Sequence, residues 1–207
     1  MRTRDAAHVG NQIGSGSSML RRSMRKGSKS FCQIYTIRAR LTGMTTEDPT
    51  PIGPTTLDER VRRLEDLEAI RTLKARYCAA CDDAYDAEAI ASLFTENGVW
   101  DGEPTFDRLE GREAIRDYFS GVAARMPVAR HQVMNPDIEV APDGMTAEGR
   151  WLLFQPCTSA ERGDLWLAAT YHDDYRKVDG AWRIAESRVE VAFFVSYRDG
   201  WTGGHAA

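Results

Sequence analysis

The chain contains no run of 18 or more apolar residues, so no segment offers the apolar helix that a bilayer demands, and no membrane partner is expected. Cysteine is scarce. Cys32, Cys78, Cys81 and Cys157 supply no disulfide framework, which suits a reduced, cytoplasmic protein. The C-x-x-C string at Cys78 and Cys81 has no second pair and falls on a helical apolar stripe, so it reads as core packing, and no metal is expected. Asp173 and Asp174 beside His172 do not change this, because adjacent strand residues point to opposite faces. Basic residues are scarce wherever the sequence looks foldable. Residues 1–43 hold nine Lys or Arg against the single acid Asp5, which leaves 18 basic and 30 acidic residues for the rest of the chain. A body this acidic excludes nucleic acid as a partner.

The same contrasts divide the chain. Residues 1–54 are rich in Gly, Ser and Arg, and their apolar cluster from Phe31 to Ile37 has no helical period, so they read as a basic, disordered extension. That composition superficially resembles an organelle transit peptide. Met44, however, opens a stretch that reads as an ordinary soluble N-terminus, and a start there is the preferred reading. Residues 55–197 form the single folded domain, and residues 198–207 a flexible Gly-rich tail that includes His205.

Within the domain, Leu57, Val61, Leu64, Leu67, Ile70, Leu73, Tyr77 and Ala80 recur at spacings of three and four, which predicts one long amphipathic helix. Thr55 and Thr56 before Asp58 and Glu59 supply its cap and first-turn acids. The charged residues between the stripe positions, Lys74 among them, are assigned to the solvated face. An acidic corner at residues 81–86 ends the helix, and a short helix follows over Ala87 to Phe94. Asn97-Gly98 reads as a turn into a strand at Val99-Trp100. A third helix starts near Glu110 and stops near Met126-Pro127. From Arg130 onward long strands follow, punctuated by turns at Pro142-Asp143-Gly144 and Asp179-Gly180. Helices first and a strand meander afterwards predict an α+β fold, with N-terminal helices packed on a strongly curved antiparallel sheet.

The order of Arg76-Tyr77 through Asp82, Leu93 to Trp100, Gly111 to Ile115, Arg130 to Asn135 and Tyr175 to Ile184 resembles the SnoaL-like branch of the nuclear transport factor 2-like superfamily. The resemblance covers about residues 57–195. It implies a cone-shaped barrel with a deep apolar pocket, a fold shared by bile acid dehydratase, scytalone dehydratase, ketosteroid isomerase and non-enzymatic binding modules. Fold membership does not fix the chemistry.

By this resemblance Asp82 and His131 stand where the dehydratases place a helix-end acid and an early sheet histidine, and Tyr77 precedes Asp82 at the bile acid dehydratase spacing. The resemblance thus implies a catalytic set of Asp82 and His131 as acid/base pair with Tyr77 polarising a carbonyl or hydroxyl. An acid facing an apolar cone should have a raised pKa. Tyr77 and Asp82 share a pocket only if the helix ends between them, since five residues of helix turn through about 500°. Trp100, Trp151, Phe154 and Tyr171 are assigned to substrate binding as pocket lining. Two departures matter: the second histidine of scytalone dehydratase falls near Trp151, and the later acid of bile acid dehydratase near Phe154 or Gln155.

Two functions stay open. One is a cofactor-independent dehydratase or isomerase acting on a small hydrophobic ring compound, steroid- or polyketide-like. The other is a non-catalytic ligand-binding or structural module, such as the small subunit of a ring-hydroxylating dioxygenase. No cofactor is expected in either case. The open sheet suggests a homodimer packed through strand faces around Trp166 and Phe193. Glu186, Arg188 and Glu190 alternate on one face and read as a charged ladder at the sheet surface rather than a pocket floor.

Overall fold

The computed structural model describes residues 56–200. The readings made for the basic extension, Cys32 and His205 lie outside the described residues. Helix α1 (Leu57–Asp82) opens on a capping box: the Thr56 hydroxyl accepts from the Glu59 amide at 3.2 Å, and the Glu59 carboxylate accepts from the Thr56 amide at 3.0 Å. Its stripe meets the sheet only in its second half. Ile70, Leu73, Tyr77, Cys78, Ala80 and Cys81 are buried, whereas Leu57 and Leu64 are 70% and 65% exposed. No helix among the described residues is long and apolar enough to cross a membrane.

After α1 the chain turns through two consecutive left-handed residues, Ala84 (φ 50°) and Tyr85 (φ 56°). Asp86 then caps α2 (Ala87–Ser92) by accepting from the Ala89 amide at 3.0 Å. Strand β1 (Phe94–Asp101) contains Asn97-Gly98, which is a register irregularity inside the strand and not the expected turn. Strand β2 (Arg108–Glu110) follows. The single third helix that the sequence suggested is two, α3 (Arg112–Ser120) and α4 (Val122–Arg125), broken at Gly121. Strands β3 (Val128–Ala129), β4 (Gln132–Val140), β5 (Thr146–Ser159), β6 (Gly163–Val178) and β7 (Ala181–Ser196) complete the domain. The Asp179-Gly180 hairpin forms as expected, with both residues at positive φ.

The strands form one curled sheet in the order β2-β1-β7-β6-β5-β3, with β4 paired to β5. It bears out the α+β reading with one refinement. The β1–β7 pair is parallel, so the sheet is mixed. The reason is that β1 enters from the helical layer and pairs with the last strand, not with a hairpin neighbour. Alternation fixes the inner face: Leu165, Leu167, Ala169, Tyr171, Asp173 and Tyr175 of β6 are buried, while Trp166, Ala168, Thr170 and His172 face outward and are half-buried. On the outer face Phe154 stacks on Trp166 with centroids 5.1 Å apart. The charged ladder is there too: Glu190 lies 2.9 Å from His172, and Glu186 3.7 Å from Arg108.

One end of the interior is polar. Asp173 accepts from Lys74 Nζ and the Tyr175 hydroxyl, both at 2.7 Å, and from the Ser187 hydroxyl at 2.6 Å. The Tyr175 oxygen in turn accepts from the Trp151 indole at 3.0 Å. Gly149 makes room for this, since a Cβ there would sit 2.7 Å from the Tyr175 ring. Lys74 therefore corrects its assignment to the solvated face: it is fully buried. Position 74 lies four residues after Ile70 and three before Tyr77, so helical geometry puts it on the apolar stripe despite its charge. Removing one member of a buried ion pair strands the other. Lys74→Met is accordingly expected to lower the unfolding free energy by about 3–5 kcal/mol in urea denaturation. A loss as small as the roughly 0–1 kcal/mol of a surface pair would contradict this account of the network.

Candidate active site

A cavity of about 260 Å³ opens between the helices and the other end of the sheet. α1 contributes Tyr77 to its wall, the corner Tyr85, β1 Trp100, α3 and α4 Tyr118, Phe119 and Val122, and the sheet Leu153, Gln155, Leu167, Tyr171, Val189 and Phe194. Aromatic edges hold this wall together: Tyr77 packs edge-on to Tyr171 at 6.1 Å, and Trp100 edge-on to Phe119 at 5.5 Å. Arg125, Glu161 and Arg162, all exposed, border the mouth.

His131 is the one histidine of that wall. Asp82, the last residue of α1, is not on the wall but behind it. Its Oδ1 accepts from the His131 backbone amide at 2.8 Å and lies 2.8 Å from His131 Nδ1. Arg130 adds a longer contact, 3.9 Å from the other carboxylate oxygen, and donates to the Asp82 carbonyl at 3.2 Å. With Nδ1 committed to a carboxylate, the proton belongs on Nδ1 in the neutral ring, and Nε2 is left as the acceptor. The imidazole side chain is 5% exposed, and the Tyr85 ring stands edge-on against it at 5.9 Å.

The expectation of a raised carboxyl pKa at Asp82 is corrected. Burial pushes it up, but the hydrogen bonds from the His131 ring and backbone outweigh burial, and Arg130 adds to them, so the group is held below the ordinary value of 3.8. Tyr77 is buried, and its hydroxyl accepts from the Trp100 indole at 3.0 Å. Burial first, and the neighbouring Cys81 and Tyr171 next, push its phenol well above 10, so it stays protonated. α1 does not end between Tyr77 and Asp82, so the two do not share the pocket: Tyr77 faces the cavity and Asp82 turns to the start of the sheet. His131 is what connects the acid to the cavity.

Of the four residues assigned to pocket lining, Trp100 and Tyr171 stand on the wall. Trp151 does not; its indole is turned to Tyr175 within the polar network. Phe154 does not either, because it lies three residues from Trp151 and so points to the outer face, against Trp166. Sequence reasoning missed Tyr85 and Gln155. Burial pushes the Tyr85 phenol far up, against the opposing effect of its hydrogen bond with Gln155. Period two from Leu153 to Gln155 to Cys157 was the available signal for Gln155, and all three are buried. Cys78, Cys81 and Cys157 are free and buried, and no cluster of three His, Cys, Asp or Glu side chains suited to a metal occurs among the described residues.

The sequence model of the SnoaL-like domain matches residues 62–188. Among solved structures, the chain is similar to a scytalone dehydratase-like protein of Novosphingobium aromaticivorans DSM 12444, at 24% identity and a TM-score of 0.61 over 67% of this chain and 91% of that one. It is also similar to the hexachlorocyclohexane dehydrochlorinase LinA-type3 of Novosphingobium barchaimii LL02, at 20% identity and a TM-score of 0.61 over 72% and 98%. A third is an NTF2-like protein with a cystatin-like fold from Novosphingobium aromaticivorans, at 27% identity and a TM-score of 0.54 over 67% and 92%. The first two establish a common fold.

The lowered Asp82 pKa fixes the sign of a pH effect. A carboxyl depressed in the folded state contributes stability that is present above the unfolded value and lost as pH falls through the folded one. The stability difference between the wild type and Asp82→Asn, followed by urea denaturation, should narrow as pH falls below the ordinary value of 3.8. A difference that persists in strong acid would show that the hydrogen bonds to His131 do not discriminate between the charged and neutral acid.

Proposed function

We propose that this chain, which belongs to the SnoaL-like domain family of the nuclear transport factor 2-like superfamily, is a cofactor-independent dehydratase or isomerase that moves a proton on a small hydrophobic ring compound. The observation that carries the reading is the placement of His131 on the wall of a largely aromatic cavity, with Nδ1 held by a carboxylate behind it. Nε2 removes a proton from a carbon made acidic by an adjacent carbonyl. Asp82 holds the ring in the right tautomer and stabilises the imidazolium that forms. Tyr77, a protonated phenol on the same wall, hydrogen-bonds the substrate oxygen on which negative charge gathers. The imidazolium then gives its proton to the departing hydroxyl, which leaves as water in elimination, or to another carbon in isomerisation.

The volume of about 260 Å³ lies just under the 300–1,000 Å³ of common ligand sites. It suits a guest of one or two rings better than an extended steroid. The scytalone dehydratase-like and dehydrochlorinase relatives support an eliminating enzyme for this fold. With an eliminating substrate in hand, His131→Ala is expected to lower kcat/KM by about 10²- to 10⁴-fold. Asp82→Asn should lower it less, because the imidazole survives but loses its anchor. Unchanged turnover in His131→Ala would refute the assignment of the base.

We also propose that a second copy covers the outer sheet face. Phe154, Trp166 and Tyr197 form a continuous aromatic patch there, with Trp166 and Tyr197 centroids 5.5 Å apart. Charged groups flank it at His172, Arg188 and Glu190. The wild type should sediment as a dimer and Trp166→Glu as a monomer in analytical ultracentrifugation. A monomeric wild type at micromolar concentration would contradict this.

A further inference from the structure

The cavity mouth carries two guanidinium groups and one carboxylate, Arg125, Arg162 and Glu161. Arg125 ends α4, and Arg162 belongs to the β5–β6 turn. The Ala160 amide donates to the Arg125 carbonyl at 2.9 Å, which fastens the turn to the helix end and puts both residues on one rim. The turn itself is set by Ser159, whose hydroxyl accepts from the amides of Glu161 and Arg162 at 3.3 and 3.2 Å. Each guanidinium lies against an aromatic ring of the wall: Arg125 is 5.0 Å from the Tyr118 centroid and Arg162 4.7 Å from that of Phe194. Arg162 also donates to the Phe194 carbonyl at 3.2 Å.

Among the described residues neither guanidinium forms an ion pair with a carboxylate, although Glu161 borders the same mouth. The surrounding body is acidic, with 18 basic against 28 acidic side chains over residues 56–200. A pair of unmatched arginines at the one opening of an aromatic cavity is therefore a local reversal of the protein's field. Arg162 spends one N–H on the Phe194 carbonyl and Arg125 is hydrogen-bonded to Tyr118, and the other donors of each guanidinium have the planar geometry that matches a carboxylate.

We propose that the substrate is a ring carboxylate, bound with its ring against the aromatic wall and its carboxylate between Arg125 and Arg162. This rests on the reading of the cavity as a ring-binding site and adds the chemical class of the guest. The two arginines position the substrate and take no part in proton transfer. The inner wall, where Leu153, Leu167 and Val189 stand beside Tyr77, Gln155 and His131, holds no guanidinium or ammonium group. The bound orientation is thus fixed, with the reactive part of the ring directed inward toward His131 and the carboxylate at the mouth.

The test uses the full chain and the matched probes 2-naphthoate and 2-naphthamide, which differ in charge at nearly constant shape, with binding read by titration calorimetry. The wild type is expected to bind the acid about tenfold more tightly than the amide, the exposed end of the range for hydrogen bonds to a charged group. In the double variant Arg125→Gln/Arg162→Gln that preference should vanish while the amide affinity stays. High salt should narrow it in the wild type without any substitution. Equal binding of acid and amide by the wild type, or a preference that survives the double substitution, overturns the carboxylate assignment and leaves the cavity reading standing. Failure of the wild type to bind either probe overturns both.

Discussion

A single carboxylate ties the helical layer to the sheet at the point where the cavity begins. Asp82 closes α1, and its Oδ1 takes both the backbone amide and the ring Nδ1 of His131, which stands just before β4. The main-chain bond sets where the strand starts relative to the helix end. The side-chain bond sets how the imidazole is turned. Because one oxygen does both, the register of α1 on the sheet and the orientation of the base cannot vary independently. The left-handed pair Ala84 and Tyr85 follows from the same junction, since the chain must reverse within a few residues of Asp82. Non-glycine residues in this region cost on the order of 1–3 kcal/mol each, and such strain persists only where the surrounding packing over-determines it. Here the packing is the Tyr85 ring, stacked on Phe119 at 6.1 Å and edge-on to His131.

The interior is divided by function as well as by polarity. The network of Lys74, Asp173, Tyr175, Ser187 and Trp151 fills one end of the space between α1 and the sheet, and the cavity occupies the other. Tyr171 stands at the boundary: its ring lines the cavity while Lys74 Nζ lies 3.4 Å from its centroid on the far side. A buried ammonium needs its charge met in full, and three donors converging on Asp173 with an aromatic face over the lysine meet it. The result is a buried polar floor whose members are hydrogen-bonded to one another. It keeps α1 at a fixed height above the sheet, so the void at the other end has a defined size without being filled.

Much of this was legible in the residues. The order of helices and strands, the helix cap at Thr55-Thr56 and the Asp179-Gly180 hairpin all follow from spacing and turn chemistry that act over a few residues. What escaped depends on longer-range placement. Lys74 occupies a stripe position by geometry, but a lysine there is read as solvated unless Asp173, far along the chain, is known to face it. Trp151 shares a face with Leu153, yet only position along the strand decides that it joins the polar floor and not the cavity. Phe154, three residues from Trp151, could never have shared its face, so strand parity alone argued against placing both in one pocket. The rim arginines carried no local signal at all, because the helix end at Arg125 and the hairpin turn that carries Arg162 are joined through a bond from the Ala160 amide to the Arg125 carbonyl, between residues far apart in sequence.

In the mechanism proposed above, the depressed carboxyl of Asp82 also decides which member of the pair takes a proton. An acid held below its ordinary range is ionised throughout the neutral region, so it neither donates a proton nor competes for one from carbon. Its remaining role in that mechanism is to orient the ring and to deny Nδ1 to the substrate. In the proposed mechanism proton transfer therefore falls to Nε2, the ring nitrogen that Asp82 does not engage. Had burial prevailed over the His131 hydrogen bonds, the carboxyl would be partly neutral and the ring free to turn, leaving a pocket of the same shape without a directed base. The chemistry proposed for this fold therefore depends less on the apolar wall than on two hydrogen bonds of 2.8 Å just behind it.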